Sequence, residues 1–241
     1  MELKTVSFDA KTDDPYTALL YCPPGVGKST AIGMIAERSE GKTLVLDVDR
    51  TIKRTLSKKE VVKNLDNITL VQVDNIHTFN DWTEILKAAG EQGVLEKMGV
   101  KTVAVDNISE LERCILSDLG SQGKNKGVPA MSDYQYMQFK LVNSLRYMKS
   151  WGVNIIWTAW EETNDFVLPD GTSYSRLYPK ISAKIRDNIC GLCDVVGKIA
   201  INKDGEHGII LEATNTTYAK NQIDSRKGCK VEEFVDFGKE D

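Results

Sequence analysis

The run Tyr21-Cys22-Pro23-Pro24-Gly25-Val26-Gly27-Lys28-Ser29-Thr30 constrains this chain more than any other stretch. A Gly-rich turn ending in Gly-Lys-Ser, set between an apolar run and a helical pattern, calls for a strand on one side and a helix on the other. Residues 17–21 have the length and composition of a buried strand, and Ala31, Ile32, Ile35 and Ala36 recur at helical spacing. At such a junction the loop N–H groups and the positive end of the helix dipole converge on one spot, which suits a phosphate. Lys28 adds a mobile ammonium there, and Ser29 a hydroxyl placed to ligate magnesium. Pro24, Gly25, Val26, Gly27, Lys28, Ser29 and Thr30 are therefore the expected nucleotide contacts. The pattern G-x-x-x-x-G-K-[ST] is met except at its first position, where Cys22 stands for glycine. A small residue serves at that strand exit if its φ is negative.

A loop of this kind needs a sheet beneath it, and 241 residues with 41% hydrophobic and 27% charged side chains can bury one. The length suits a single α/β domain with a decorated sheet. No apolar run approaches the roughly 20 residues that cross a bilayer, and the first residues, with Glu2, Lys4 and Asp9, lack a signal-peptide core. A cytoplasmic protein without membrane contact is expected. A net charge of -4 and a pI of 5.4 exclude a globally basic nucleic-acid binder, so any such binding has to be local. The five cysteines, an odd number, argue for reduced thiols. Cys190-Gly191-Leu192-Cys193 has the spacing of half a zinc site, with His207 and Cys229 as conceivable further ligands. A second close pair is missing, which favours small buried residues at a helix end.

Along the chain, residues 43–46 form a short apolar run closed by Asp47-Val48-Asp49, a second buried strand with carboxylates at its exit. Residues 51–64 are rich in Lys and read as a surface helix or loop, followed by a strand over 68–73 and a helix over 81–91 with Trp82, Ile85, Leu86 and Ala89 on one face. Lys101-Thr102-Val103-Ala104-Val105-Asp106-Asn107 is an apolar strand ending in an acid, with a helix expected over 108–119. Residues 120–129, Gly-rich and positively charged, predict a flexible loop. Ser132 or Asp133 is then placed to cap a long helix carrying Tyr136, Phe139, Leu141, Val142 and Leu145. A further apolar strand covers 153–159. Pro169-Asp170-Gly171 turns a β-hairpin over 165–177, a helix is expected over 182–193, and strands over 195–202 and 208–212 meet at Asp204-Gly205 as an antiparallel addition. The acidic tail, 223–241, is expected to be loosely held beyond residue 231.

In a parallel sheet the phosphate loop and Asp106 both lie at carboxyl ends of strands, where ligands bind. Asp106 is thus placed to hold magnesium opposite Ser29, the bland alternative being an Asp that caps the next helix. Cleavage of a γ-phosphate also needs a group to orient or deprotonate water. Asp49 is the first candidate and Asp47 the second, since a carboxylate on the neighbouring strand reaches an in-line water without meeting the magnesium ligands. Lys28, Asp49 and Asp106 form the expected catalytic set, acting with magnesium on a nucleoside triphosphate, which the resemblance below implies is ATP.

These parts resemble the RecA-core ATPases, and within them the phage Sak-type recombination ATPases. The resemblance covers residues 17–222 and is carried by Pro23 to Thr30, Leu46-Asp47-Val48-Asp49, Val103-Ala104-Val105-Asp106-Asn107, Tyr178-Pro179-Lys180-Ile181-Ser182-Ala183-Lys184 and Cys193-Asp194-Val195-Val196-Gly197. It implies an α/β fold with a mostly parallel sheet flanked by helices, and antiparallel strands added towards the C-terminus. The family's D-x-E glutamate falls on Asp49, a shorter carboxylate. Its two DNA-binding loops correspond to 120–129, with Lys124 and Lys126, and to 161–179, with Phe166, Tyr174, Arg176 and Tyr178, and Lys180 just beyond. Basic groups with aromatics suit sequence-tolerant binding of single-stranded DNA. Thr158 is the candidate γ-phosphate sensor. Lys220, in Ala219-Lys220-Asn221-Gln222, matches a Lys-Asn-Arg motif by which some RecA-like subunits reach a neighbour's triphosphate; Gln222 stands at the Arg position, so the resemblance places the trans-acting group on Lys220 first and Arg226 second, and implies a homo-oligomer, ring or filament. The resemblance implies an ATPase for DNA recombination, with a single-strand-binding protein as a conceivable partner. A helicase or helicase loader, and a DNA-annealing module with little turnover, are the alternatives.

Overall fold

The computed structural model describes residues 14–57 and 62–237. The acids and lysine noted near the N-terminus, part of the Lys-rich stretch over 51–64 and the end of the tail lie outside these. In chain order the elements are β1 (Thr17–Cys22), α1 (Lys28–Arg38), β2 (Lys42–Asp47), α2 (Ile52–Leu56), β3 (Ile68–Gln72), α3 (Thr78–Gly90), α4 (Val94–Lys97), β4 (Val100–Asp106), α5 (Ile108–Gln122) and α6 (Met131–Lys149). They continue with β5 (Asn154–Val167), β6 (Ser173–Pro179), α7 (Ala183–Leu192), β7 (Val195–Ile201), β8 (His207–Ile210), β9 (Lys220–Asn221) and β10 (Gly228–Lys230).

The strands form one sheet in the order β10-β8-β7-β1-β5-β4-β2-β3, with β6 paired to β5 and β9 to β7. From β7 to β3 every neighbour is parallel, whereas β6, β8, β9 and β10 pair antiparallel. This is the mostly parallel α/β sheet flanked by helices, with antiparallel additions, that the sequence leads one to expect. Successive residues of β1 serve opposite faces: Ala18, Leu20 and Cys22 pack with Ala31, Ile32 and Ile35 of α1, while Leu19 and Tyr21 pack with α3, α5, α6 and α7. Burial on both faces is why such strands read as continuous apolar runs.

Four expectations need correction. Helix α5 runs on through Gln122, because Asp118 accepts a hydrogen bond from the Gln122 amide at 2.6 Å and its backbone carbonyl one from Ser121. The connecting loop is shorter than 120–129, and its return at Gly127 and Pro129 packs so closely on Gly120 that a Cβ there would lie 2.8 Å from a carbonyl. Helix α6 starts earlier than a Ser132 cap implies; Ala130 flanks it, and Asp133, one turn in, accepts the Ala130 N–H at 2.7 Å. Its inward stripe is Met137, Leu141, Val142, Leu145 and Met148, which turns Tyr136 (61% exposed) and Phe139 (69%) to solvent. The described part of the tail, up to Phe237, is anchored, not loose: β10 joins the sheet, and Val231 and Phe234 are fully buried, with Phe234 and Phe237 edge-on to Tyr16. Among the described residues no helix is long and apolar enough to cross a membrane.

Candidate nucleotide site at the carboxyl edge of the sheet

Cys22 ends β1, pairs in register with Trp160, and is fully buried. Its φ is not positive, so the position tolerates a side chain. Burial pushes its thiol up to about 11, against the pull of Lys28. The turn that follows closes with Val26 N–H on the Pro23 carbonyl at 3.3 Å, and Gly25 and Gly27 take φ of 83° and 116°, where a side chain is strained. Gly27 flanks α1 without a side-chain cap, and no acidic residue lies in the first helical turn. The first N–H groups of α1 are therefore left for an anion. Lys28, only 7% exposed, stands among them.

Opposite the loop, Asp106 ends β4 and is fully buried. It accepts from Ser29 Oγ at 2.5 Å and from Thr158 Oγ1 at 2.7 Å. Capping of α5 falls to the next residue, since Asn107 Oδ1 accepts the Glu110 N–H at 2.9 Å. That frees the Asp106 carboxylate. Asn107 also donates to Asp49 Oδ2 at 2.7 Å, fixing the second acid against the first. The ends of β2 and β4 are pinned together by Val48 N–H on the Asp106 carbonyl at 2.8 Å.

Asp47 and Asp49 differ in environment. Asp47 is fully buried and, among the described residues, no hydrogen bond of ordinary geometry reaches its oxygens. Burial and then Asp106 raise its pKa, opposed by the nearby amides of Arg50, Thr51 and Ile52. Asp49 is half-buried at the site. Burial, then Asp106 and Glu110, push it to about 7, against the pull of Lys28. A carboxyl of that kind takes up and releases a proton near neutrality. The structure thus brings Thr158, bonded to Asp106, and Asp49, bonded to Asn107, to the same carboxyl edge as the phosphate loop. Asn107 and Glu110 were missed, although an Asn followed three residues later by Glu is a helix-start pattern.

The nucleic-acid candidates lie at the same edge but apart. Strand β5 continues past Trp160 into a hairpin with β6, whose register sets Phe166 beside Tyr174, Asn164 beside Arg176 and Glu162 beside Tyr178 on one face. Phe166 stacks on Tyr174 at 5.2 Å, Tyr178 on Tyr218 at 5.2 Å, and Arg176 lies over both Tyr178 and Tyr218 at 5.7 and 5.5 Å. Ser109 of α5 ties the hairpin base down, donating to the Lys180 carbonyl at 2.7 Å and accepting the Trp160 N–H at 2.9 Å. Lys180 itself is exposed. Lys124 and Lys126 lie beyond the far end of α5, also exposed. Because Asp118 accepts the Phe79 N–H of α3 at 2.8 Å, that end of α5 stays near the carboxyl end of β3.

Lys220 departs from its expected role. Its ammonium closes the C-terminus of α7, donating to the carbonyls of Cys193 at 2.6 Å, Gly191 at 3.2 Å and Cys190 at 3.4 Å, as a cation does at the negative end of a helix. Arg226, the second choice, is held by Asp224 at 2.7 Å. Cys190 and Cys193 are buried in the core, with Cys190 pushed up to about 12 by burial. His207 and Cys229 lie on the distant β8 and β10.

The model of a family described as AAA domain matches residues 14–223. The chain belongs to the AAA domain family. No curated protein matches it. One solved structure that does is a KaiC-like protein from the hyperthermophilic archaeon Pyrococcus horikoshii OT3, with 13% identity, TM-score 0.46, and coverage of 82% of this chain and 78% of that one. As an AAA-type domain with a phosphate loop on a mostly parallel sheet, the chain is a nucleotide-binding ATPase domain.

Proposed function

We propose that this AAA-family ATPase binds single-stranded DNA and couples that binding to ATP hydrolysis, after the manner of the phage Sak-type recombination ATPases, in strand recombination or annealing. One observation carries the reading: β5 runs unbroken from Thr158, bonded to Asp106, to Phe166 on the aromatic hairpin face. At a rise of about 3.3 Å per residue the strand joins the two over roughly 26 Å. A change at the phosphate site has a rigid path to that face.

Magnesium fits the site by donor chemistry: the hydroxyl of Ser29 and the carboxylate of Asp106 are hard oxygen ligands already in contact. When bound it would neutralise phosphate charge. In the proposed reaction the loop N–H groups and Lys28 hold the triphosphate, and Asp49 orients a water and accepts its proton. Stacked Phe166 and Tyr174 offer an open ring face to bases, Arg176 and Lys180 meet phosphates, and Lys124 and Lys126 extend the track. A homo-oligomer belongs to the reading through the resemblance; Lys220, occupied at its own helix end, does not support it.

ATP turnover with and without single-stranded DNA tests this. Stimulation by DNA is expected; turnover indifferent to DNA would count against the hairpin and loop roles, and DNA binding without turnover would favour an annealing module. The double substitution Lys124→Ala/Lys126→Ala is expected to weaken DNA binding at low salt. It should also flatten the log–log salt slope by about 1.4, at ~0.7 per phosphate contact on a single strand. An unchanged slope removes this loop from the interface.

A further inference from the structure

The ring of His207, at the start of β8, lies against the phosphate loop. A Cβ on Gly27 would meet its Cε1 at 2.6 Å and Nδ1 at 3.0 Å, so that edge of the imidazole is pressed on the Gly27 backbone. Nδ1 is buried and has no hydrogen-bond partner among the described residues, whereas Nε2, with no partner either, is not buried. A neutral imidazole carries one proton. With nothing to accept a hydrogen bond at Nδ1, it keeps that proton on the open nitrogen, giving an Nε2–H donor beside the loop.

The sheet order says which part of a ligand this donor meets. Strand β8 lies on the β7 side of β1, and β4, carrying Asp106, lies on the β5 side. The Gly27 position that faces His207 also faces Thr30, whose Cβ is 3.6 Å from the same point and which, next in α1 after Ser29, is turned about 100° around the helix from the Ser29–Asp106 pair. The donor therefore serves the end of a phosphate chain remote from Asp106.

We propose that His207 is a nucleotide-contacting residue, its Nε2–H donating to the α-phosphate end of a nucleoside di- or triphosphate held on the loop. The proposal rests on the reading of that loop as a nucleotide site. A contact at the α end is shared by ADP and ATP, unlike one at the γ-phosphate. Calorimetric titration of the full chain with ADP and with a non-hydrolysable ATP analogue separates these cases. His207→Phe, which keeps a ring on Gly27 but has no donor, is expected to weaken both ligands by the same factor, about tenfold for a lost bond to a charged group. Its ligand-free melting temperature should match the wild type. His207→Gln, with an amide N–H in reach, should recover most of the loss, and His77→Ala, at the other histidine, should change nothing. Undiminished affinity in both His207 variants, or a loss confined to the triphosphate, overturns the assignment. Wild-type protein that binds neither ligand sinks the nucleotide reading, and this inference with it.

Discussion

Lys28→Ala is expected to lower ATP turnover by at least about a thousandfold, the scale lost when a charge-stabilising group is removed from a transferring phosphoryl group. The size follows from the charges around the loop. Asp106, Glu110 and Asp47 all raise the pKa of Asp49, and Lys28 is the group that opposes them. Take away the ammonium and an incoming triphosphate meets carboxylates with only backbone N–H groups to hold it. Nucleotide affinity is therefore expected to fall together with the rate, and DNA stimulation to disappear because there is no cycle left to stimulate. Lys28→Arg is not a rescue: a planar guanidinium does not fit where a 7% exposed ammonium sits in the mouth of a helix. Phosphate release and direct nucleotide titration check both arms. A Lys28→Ala protein turning over within tenfold of wild type would remove the loop from catalysis.

What the chain discloses in one dimension is the part governed by local rules. The parallel strands β1, β2 and β4 are legible because burial on both faces leaves runs such as Leu44-Val45-Leu46 and Val103-Ala104-Val105 with no polar alternation. The phosphate loop is legible because few other sequences need Gly-Lys-Ser after a strand. Contacts between distant segments are not. The ammonium of Lys220 looks free in sequence and is consumed by carbonyls of α7. Tyr136 and Phe139 look like core because aromatic residues usually are, but helical phase puts Met137 and Leu141 inward instead. Phe234 sits in an acidic stretch whose composition hides its burial against Tyr16. The nearness of His207 to Gly27 follows from β8 folding back antiparallel on β7, which no local pattern encodes.

Asp49→Asn separates the chemistry of the site from its stability, and the two are expected to move in opposite directions. As the proposed base, Asp49 contributes a proton-transfer step whose loss costs about a hundredfold to ten-thousandfold in rate. The amide still accepts the Asn107 hydrogen bond through its carbonyl, so geometry is kept while basicity goes. The wild-type kcat/KM should rise with pH through about 7, where Asp49 gives up its proton, and the residual activity of the variant should lack that limb. For stability the sign runs the other way. The folded-state pKa, about 7, is raised above the ordinary 3.8, so the folded protein holds the proton more tightly than the unfolded chain. That stabilising effect is complete below pH 3.8 and is lost as the pH climbs through 7. Above neutrality an ionised Asp49 stands beside Asp106 and Glu110, and replacing it with a neutral amide relieves the repulsion. The melting temperature of ligand-free Asp49→Asn should thus match wild type at acid pH and exceed it by a growing margin up to pH 8. Asp47→Asn, deeper and away from solvent, leaves Asp49 in place and should keep the kinetic limb. A wild-type profile flat between pH 6 and 8, or a variant that keeps its rate, would pass the role of base to Glu110, the half-buried carboxylate whose charge Asp49 feels next after Asp106.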